Sequence, residues 1–319
     1  MLPPFEPHRW LKNPHAQTIA AAYLPGGRRP YQAKRHSVSV AGDDQIVLHE
    51  DCPEQWQPGD RTALMIHGLA GCHMSSYMVR ISKKLKDRNV RAFRMDMRGC
   101  GAGLKLAKLP YHAGRTEDTI AAMQYIAALC PGSPLTLVGF SIGGHVALKL
   151  AGELGATKCA GLDRVIAVCP PLDLHVCSGH LEQPSNRFYS RHLLSVLFKL
   201  HLARKRQVPG AAPLQNVSRP SSLRELDDQF IAPAWGFDGA SDYYDKCSAI
   251  NFLDGIRIPT YLLAARDDPL VPIEQFRQAT MASNINLHIT DHGGHLGFVG
   301  RAGVDPDRRW MDWRVVEWV

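Results

Sequence analysis

The stretch "LTLVGFSIGGHVALKL", residues 135–150, decides how the rest of the chain is read. Four strand-forming residues, Leu135 to Val138, run into Gly139, Phe140, Ser141, Ile142, Gly143 and Gly144. An alanine- and leucine-rich helical pattern follows without a gap. A serine turned sharply between a strand and a helix stands at the carboxyl edge of a sheet. The backbones there come so close that only small flanking residues fit, which accounts for Gly139 and Gly143. The next helix points its free N–H groups and positive dipole end at the hydroxyl, favouring a nucleophile and the oxyanion it creates. The pentapeptide G-x-S-x-G is common by chance, and a phosphate-binding glycine loop or a plain tight turn would read the same in isolation.

The surrounding chain supplies the context. Short apolar runs end in glycine, aspartate or serine at 62–68, 90–99, 135–141, 164–170, 258–268 and 285–294. Helical patterns separate most of them: "SSYMVRISKKLKDR", "TEDTIAAMQYIAALC", "GGHVALKLAGEL", "IEQFRQATM" and "RRWMDWRVVEWV". Apolar strands alternating with amphipathic helices predict a mostly parallel sheet covered on both faces. The more polar 35–51 predicts a leading antiparallel hairpin turning at Gly42, Asp43 and Asp44. The alternation stops across 171–255, where "NRFYSRHLLSVLFKLHLARKR" predicts a helix and "QVPGAAPLQNVSRPSS" a loop. The expected organisation is an extension at 1–34 wrapping the core, a first core part at 35–170, a helical insertion at 171–255, and a second core part at 256–319.

The bulk numbers are compatible with one such domain. The 319 residues are 45% hydrophobic and 21% charged, a globular composition with ample core material. No run of about 18 apolar residues suggests a transmembrane helix, and prolines and charges interrupt the first 25 residues where a signal peptide needs an apolar stretch. The net charge of +7 is dispersed, densest at "ARKRQ" (203–207), without a zinc-finger, RNP or repeat pattern. A solvated surface explains it better than nucleic acid. The eight cysteines stand singly, several in apolar contexts, and read as reduced thiols of a cytoplasmic protein.

A serine hydroxyl needs a base, and the base needs an orienting carboxylate. "LLAARDDPLVP" offers Asp267 and Asp268, and "HITDHGGHLGF" offers His292 and His295. Asp268 is preferred because its spacing to Val271 and Pro272 sets it in the loop entering the next helix, leaving Asp267 to hydrogen-bond locally. His295 is preferred because Gly293, Gly294 and Gly297 free its loop to reach the serine, whereas His292 lies nearer the strand. An oxyanion hole needs two backbone donors. Ile142 follows the nucleophile, and Leu69 lies in "HGLAG" after an earlier strand, with His67 shaping that loop. A zinc site from His67, Cys72 and His73 is the rival, but its spacing matches no usual ligand pattern and no carboxylate completes it.

Together these motifs carry a resemblance. "NPHAQTI" (13–19), "HGLAG" (67–71), "MDMRGCG" (95–101), "YHAGRTED" (111–118), "GFSIGG" (139–144), "ARDDP" (265–269) and "GGHLGF" (293–298) span nearly the whole chain in order. The chain resembles the α/β-hydrolases, and more narrowly the YheT/ABHD1–ABHD3 group. The resemblance implies the α/β-hydrolase fold, a serine nucleophile, and action on carboxylic acyl esters; no cofactor or metal is expected. Short- to medium-chain esterase or lipase-like hydrolysis is the leading expectation. An acyltransferase or perhydrolase on the same triad, or a non-catalytic binding module, are the alternatives.

Other residues have structural readings. Asp96 and Arg98 suit a buried ion pair or turn anchor. Thr116 suits an N-cap, with Glu117 and Asp118 in the first turn. His112 stays ambiguous. The apolar-basic helix at 192–206 would either roof an acyl pocket, with Phe198 or Leu202 as candidate lining residues, or rest on a membrane surface. The roof is preferred, and the oligomeric state is open.

Overall fold

The computed structural model describes residues 3–23, 31–211 and 219–319. Eight strands form one sheet in the order β1-β2-β4-β3-β5-β6-β7-β8. They are β1 (Lys34–Val40), β2 (Asp44–Asp51), β3 (Thr62–Ile66), β4 (Arg91–Asp96), β5 (Leu135–Phe140), β6 (Leu162–Val168), β7 (Thr260–Ala265) and β8 (Ile285–Thr290). β2 runs antiparallel to both its neighbours, and every other pairing is parallel. The β1–β2 hairpin turns through Gly42 and Asp43, both at positive φ.

The central strands are buried on both faces because alternate side chains meet different helices. In β3, Leu64 and Ile66 join one cluster while Ala63 and Met65 join the other. The first cluster is completed by α3 (Glu117–Leu129) and α4 (Ile142–Leu154), the second by α2 (Ser76–Lys86) and the last helix (Trp310–Trp318). The sequence places Met78, Ile81 and Leu85 at helical spacing on α2, and these residues form its sheet-facing stripe.

At the ends of the chain and over the sheet's carboxyl edge lie the remaining helices. α1 (Pro14–Tyr23) belongs to the 1–34 extension, of which residues 1–2 and 24–30 lie outside the described residues. Between β6 and β7 come α5 (Leu174–Glu182), α6 (Arg187–Gln207), α7 (Leu223–Leu226), α8 (Ala232–Trp235) and α9 (Ala240–Cys247), with a π turn at Asp227–Ile231. The expected loop at 207–222 lies partly outside the described residues. A separate small core holds this group together, built from Leu181, Tyr189, Leu194, Leu197, Leu226 and Phe230. After β7, "IEQFRQATM" forms only a short α10 (Glu274–Gln278), and Trp310–Trp318 is α11. Among the described residues no helix is long and apolar enough to cross a membrane.

Two local expectations need correction. Thr116 precedes α3 but does not cap it: its hydroxyl donates to Glu153 at 2.6 Å, and its backbone is already helical. Asp118 turns away from the helix N-terminus to bind Arg98. Asp96 and Arg98 do not pair with each other. Arg98 is held by Asp44 and Asp118, whereas Asp96 accepts from His49, His73 and the Ala102 N–H.

Candidate active site

Ser141 sits between β5 and α4 at φ 52° and ψ −121°, a conformation that side chains rarely adopt. Its neighbours must be glycine for the turn to close. A Cβ on Gly139 would lie 2.2 Å from the Gly143 carbonyl oxygen, and one on Gly143 would lie 2.4 Å from that of Ile66.

The Ser141 hydroxyl donates to His295 Nε2 at 3.0 Å. His295 Nδ1–H in turn donates to Asp268 Oδ2 at 2.8 Å, which fixes the tautomer that leaves Nε2 free to accept. The other Asp268 oxygen accepts from the Leu270 and Val271 N–H groups at 2.8 and 3.0 Å. The turn from β7 therefore orients the carboxylate, as the spacing to Val271 suggested. Asp267 instead accepts from the Gly294 N–H at 2.9 Å and pairs with His292, bracing the loop that carries His295.

Gly293 and Gly294 take positive φ of 151° and 57°, the backbone freedom expected of that loop, and Gly294 and Gly297 also make room for α1. A Cβ on Gly294 would meet the Pro14 carbonyl at 2.5 Å and Thr18 Oγ1 at 2.7 Å, and one on Gly297 would meet Gln17 at 2.9 Å. The His295 N–H donates to Thr18 Oγ1 at 2.9 Å. Gln17, fully buried, accepts from the Val299 N–H at 2.8 Å and donates to the Val299 and Leu11 carbonyls. Sequence reasoning used 13–19 only as part of a resemblance. Nothing in the local pattern of those residues signals the contact, because the burial of Gln17 comes from packing against a loop 282 residues away.

Leu69 and Ile142 both face the same cavity as Ser141 and His295. In the Gly68–Gly71 loop, Gly68 N–H donates to Tyr77 Oη, Ala70 N–H to Tyr111 Oη, and Gly71 N–H to the Gly68 carbonyl. Leu69 N–H has no acceptor among the described residues, and Ile142 N–H is the first orphan donor of α4. His67 holds the loop by bonding through Nδ1 to the Gly68 carbonyl and through Nε2 to the Met97 N–H.

The His67–Cys72–His73 zinc set does not converge, because His73 turns to Asp96 and stacks on His49 with ring centroids 3.5 Å apart. Among the described residues two groups bring three ligand-type atoms within 4.8 Å: His49, His73 and Asp96, and Cys169, Asp268 and His295. In the first, Asp96 already accepts from both imidazoles and two backbone N–H groups. In the second, Asp268 and His295 already bond each other at 2.8 Å, and burial pushes the Cys169 thiol well above its ordinary value.

The cavity over Ser141 measures about 320 Å³. Its walls are mostly apolar, with Leu193, Leu197 and Leu200 of α6 and Leu174 of α5 over the nucleophile. Phe198 and Leu202 do not line it. Phe198 packs instead on Phe230, because the cavity-facing stripe of α6 runs through 193, 197 and 200. Titratable groups are also present. Burial drives His112 down to about 3 and His201 down to about 4, so both are neutral imidazoles. Enclosure pushes the Asp227 carboxyl up to about 7, although it accepts from Tyr244 Oη at 2.7 Å.

Comparison with known proteins agrees with this architecture. Escherichia coli (strain K12) YheT is 30% identical over 99% of this chain and 92% of its own length. Mouse phospholipase ABHD3 is 25% identical over 92% of this chain and 73% of its own. Monoacylglycerol lipase of Saccharomyces cerevisiae is 26% identical over 77% of this chain and 56% of its own. The Pyrococcus furiosus esterase Pf2001 superposes with a TM-score of 0.57 at 15% identity, covering 100% of this chain and 98% of that one, which is a likeness of fold. The model of the alpha/beta hydrolase family matches residues 63–307, and the chain belongs to that family.

Proposed function

We propose that this carboxylic ester hydrolase cleaves short- to medium-chain acyl esters by acyl transfer through Ser141. His295 takes the hydroxyl proton as Ser141 Oγ attacks the ester carbonyl. Asp268 holds the imidazole in the competent tautomer and stabilises the imidazolium that forms. The N–H groups of Leu69 and Ile142 receive the oxyanion, and its collapse expels the alcohol, protonated by His295. Water, deprotonated by the same imidazole, then releases the acid from the acyl-serine.

One observation carries this reading. The Ser141–His295–Asp268 row is hydrogen-bonded at 3.0 and 2.8 Å and opens onto an apolar cavity with two unused N–H donors beside the serine. Similarity to proteins named as an esterase, a phospholipase and a monoacylglycerol lipase supports an ester and not an amide as the substrate. A fluorophosphonate is expected to label the wild type and not Ser141→Ala, with p-nitrophenyl ester hydrolysis lost in the same variant. Equal labelling of both proteins would remove Ser141 from the mechanism.

A further inference from the structure

The cavity over Ser141 is lined by a buried guanidinium, Arg204, with no carboxylate at ion-pair distance among the described residues. Five arginines are less than a tenth exposed: Arg80, Arg94, Arg98, Arg204 and Arg314. Four have a carboxylate within ion-pair distance, namely Asp312, Asp51, Asp44 with Asp118, and Asp305. Arg204 is only 4% exposed and has no such partner among the described residues. Its Nη2 donates to the Ala107 carbonyl at 2.9 Å, and its Nε has no acceptor. Asp44 acts on it through space, but the Asp44 oxygens are held by Arg98 and by the Lys108 and Leu109 N–H groups.

Arg204 lies on the last turn of α6 and lines the cavity that contains Ser141. Gly99 makes its position possible. At φ +65° that residue presents bare backbone, and a Cβ there would lie 2.5 Å from Arg204 Nε. The neighbour on the same helix face, His201, is neutral and stacks on Phe230, so it adds no second positive charge. A tether from α6 to the Ala107 carbonyl needs only a neutral donor. A guanidinium is a costly choice for that purpose, because an enclosed cation without a partner loses its hydration without compensation. The cost is recovered when an anion enters, since a planar fork of N–H donors matches carboxylate or phosphate oxygens.

We propose that Arg204 forms a subsite for an anionic group, a carboxylate or a phosphate, carried by the ester substrate apart from the scissile bond. This rests on the reading of Ser141 as the ester-cleaving nucleophile. The substrate is then an amphiphile: an acyl ester for the apolar walls and one negative charge for Arg204.

Two matched pairs of esters test the subsite and separate its sources. In the first the charge is on the acyl side: mono-p-nitrophenyl glutarate against p-nitrophenyl pentanoate. In the second it is on the alcohol side: 1-butyryl-glycerol 3-phosphate against 1-butyrylglycerol. In the wild type one anionic member is expected to exceed its neutral partner in kcat/KM by about tenfold or more, mostly through KM, as charge-assisted bonds to an enclosed cation allow. The pair that responds identifies the source of the anion. Arg204→Gln, which keeps an N–H donor, is expected to bring that ratio to about one, and Arg204→Lys to retain part of it. Fluorophosphonate labelling of Ser141 reports whether each variant is folded. A wild type that prefers the neutral ester in both pairs overturns the subsite whatever the variants do, and so does a preference that survives in folded Arg204→Gln. If no ester is cleaved and Ser141 is not labelled, the reading of the site fails and the subsite with it. Neutral esters cleaved without any anionic preference overturn the subsite alone.

Discussion

The His295 N–H donates to Thr18 Oγ1 at 2.9 Å, so the first helix grips the loop that carries the imidazole. The Thr18 hydroxyl in turn donates to the Pro14 carbonyl at 2.8 Å. One turn away, His15 bonds to Tyr189 Oη at 3.0 Å and stacks on its ring, which joins α1 to α6. Thr18 is thus a positioning residue that ties the imidazole loop to the roof. Thr18→Val keeps the shape and removes the acceptor, leaving a buried N–H unpaired. The expected result is a kcat lower by about tenfold with little change in KM, since a small displacement of the imidazole is costly to the reacting geometry. Thr18→Ser should restore it. Steady-state kinetics at matched folded fraction decide the matter, and an unchanged kcat in Thr18→Val would leave the tie with only a structural role.

The two adjacent carboxylates should separate in the same assay. Asp268 bonds the imidazole at 2.8 Å, while Asp267 bonds the backbone of the loop. Asp268→Asn should lower kcat by about 10³ to 10⁴, because the orienting acceptor becomes an amide and the imidazolium loses its counter-charge. Asp267→Asn should lower Tm and cost kcat far less than Asp268→Asn does, because Asp267 bonds the loop backbone and not the imidazole. A larger kcat loss in folded Asp267→Asn than in Asp268→Asn would reverse the assignment.

Chain-length selection should track the roof. Each methylene buried in the apolar cavity is worth about 0.8 kcal/mol, so kcat/KM should rise about fourfold per carbon until the space is full. Leu197 and Leu200 face that space and Phe198 does not. Leu197→Trp or Leu200→Trp should move the break to shorter esters, with Phe198→Trp as the unshifted control. A profile that breaks at the same length in all three variants would separate the roof from acyl selection.

Asp227 should make stability depend on pH in the direction opposite to an ion-paired aspartate. Enclosure raises its carboxyl from the ordinary 3.8 to about 7. The folded chain therefore holds this proton more tightly than the unfolded chain, and the contribution is lost as pH climbs toward and through about 7. Asp227→Asn lacks the titration. Its Tm relative to wild type should be higher at about pH 8 than at about pH 5. A difference independent of pH would show that the carboxyl titrates normally.

The fold was legible because it rests on local periodicity. β3, β5 and the other buried strands are continuous apolar runs, and α2 carries its stripe at helical spacing, so each element's burial is written in its own residues. Ser141 was legible for a similar reason. The positive φ and the close backbone approaches at Gly139 and Gly143 are demands that only neighbouring residues can meet. That loops so far apart in sequence could meet at Ser141 followed from strand ends falling on one edge of a parallel sheet.

Contacts between segments far apart in sequence have no periodicity to betray them. That Gly294 and Gly297 receive α1, that the capping position Thr116 spends its hydroxyl on Glu153, and that 193, 197 and 200 rather than 198 and 202 face the cavity depended on how separate elements pack. Arg204 is the clearest case. In the sequence it belongs to a dispersed basic cluster that reads as solvated surface. The roof's own core rotates that face of α6 onto Gly99, and the guanidinium is enclosed without a carboxylate beside it. Sequence determines which residues are charged. Only tertiary packing decides which charge is taken out of water, because desolvation depends on what closes over the group from every other part of the chain.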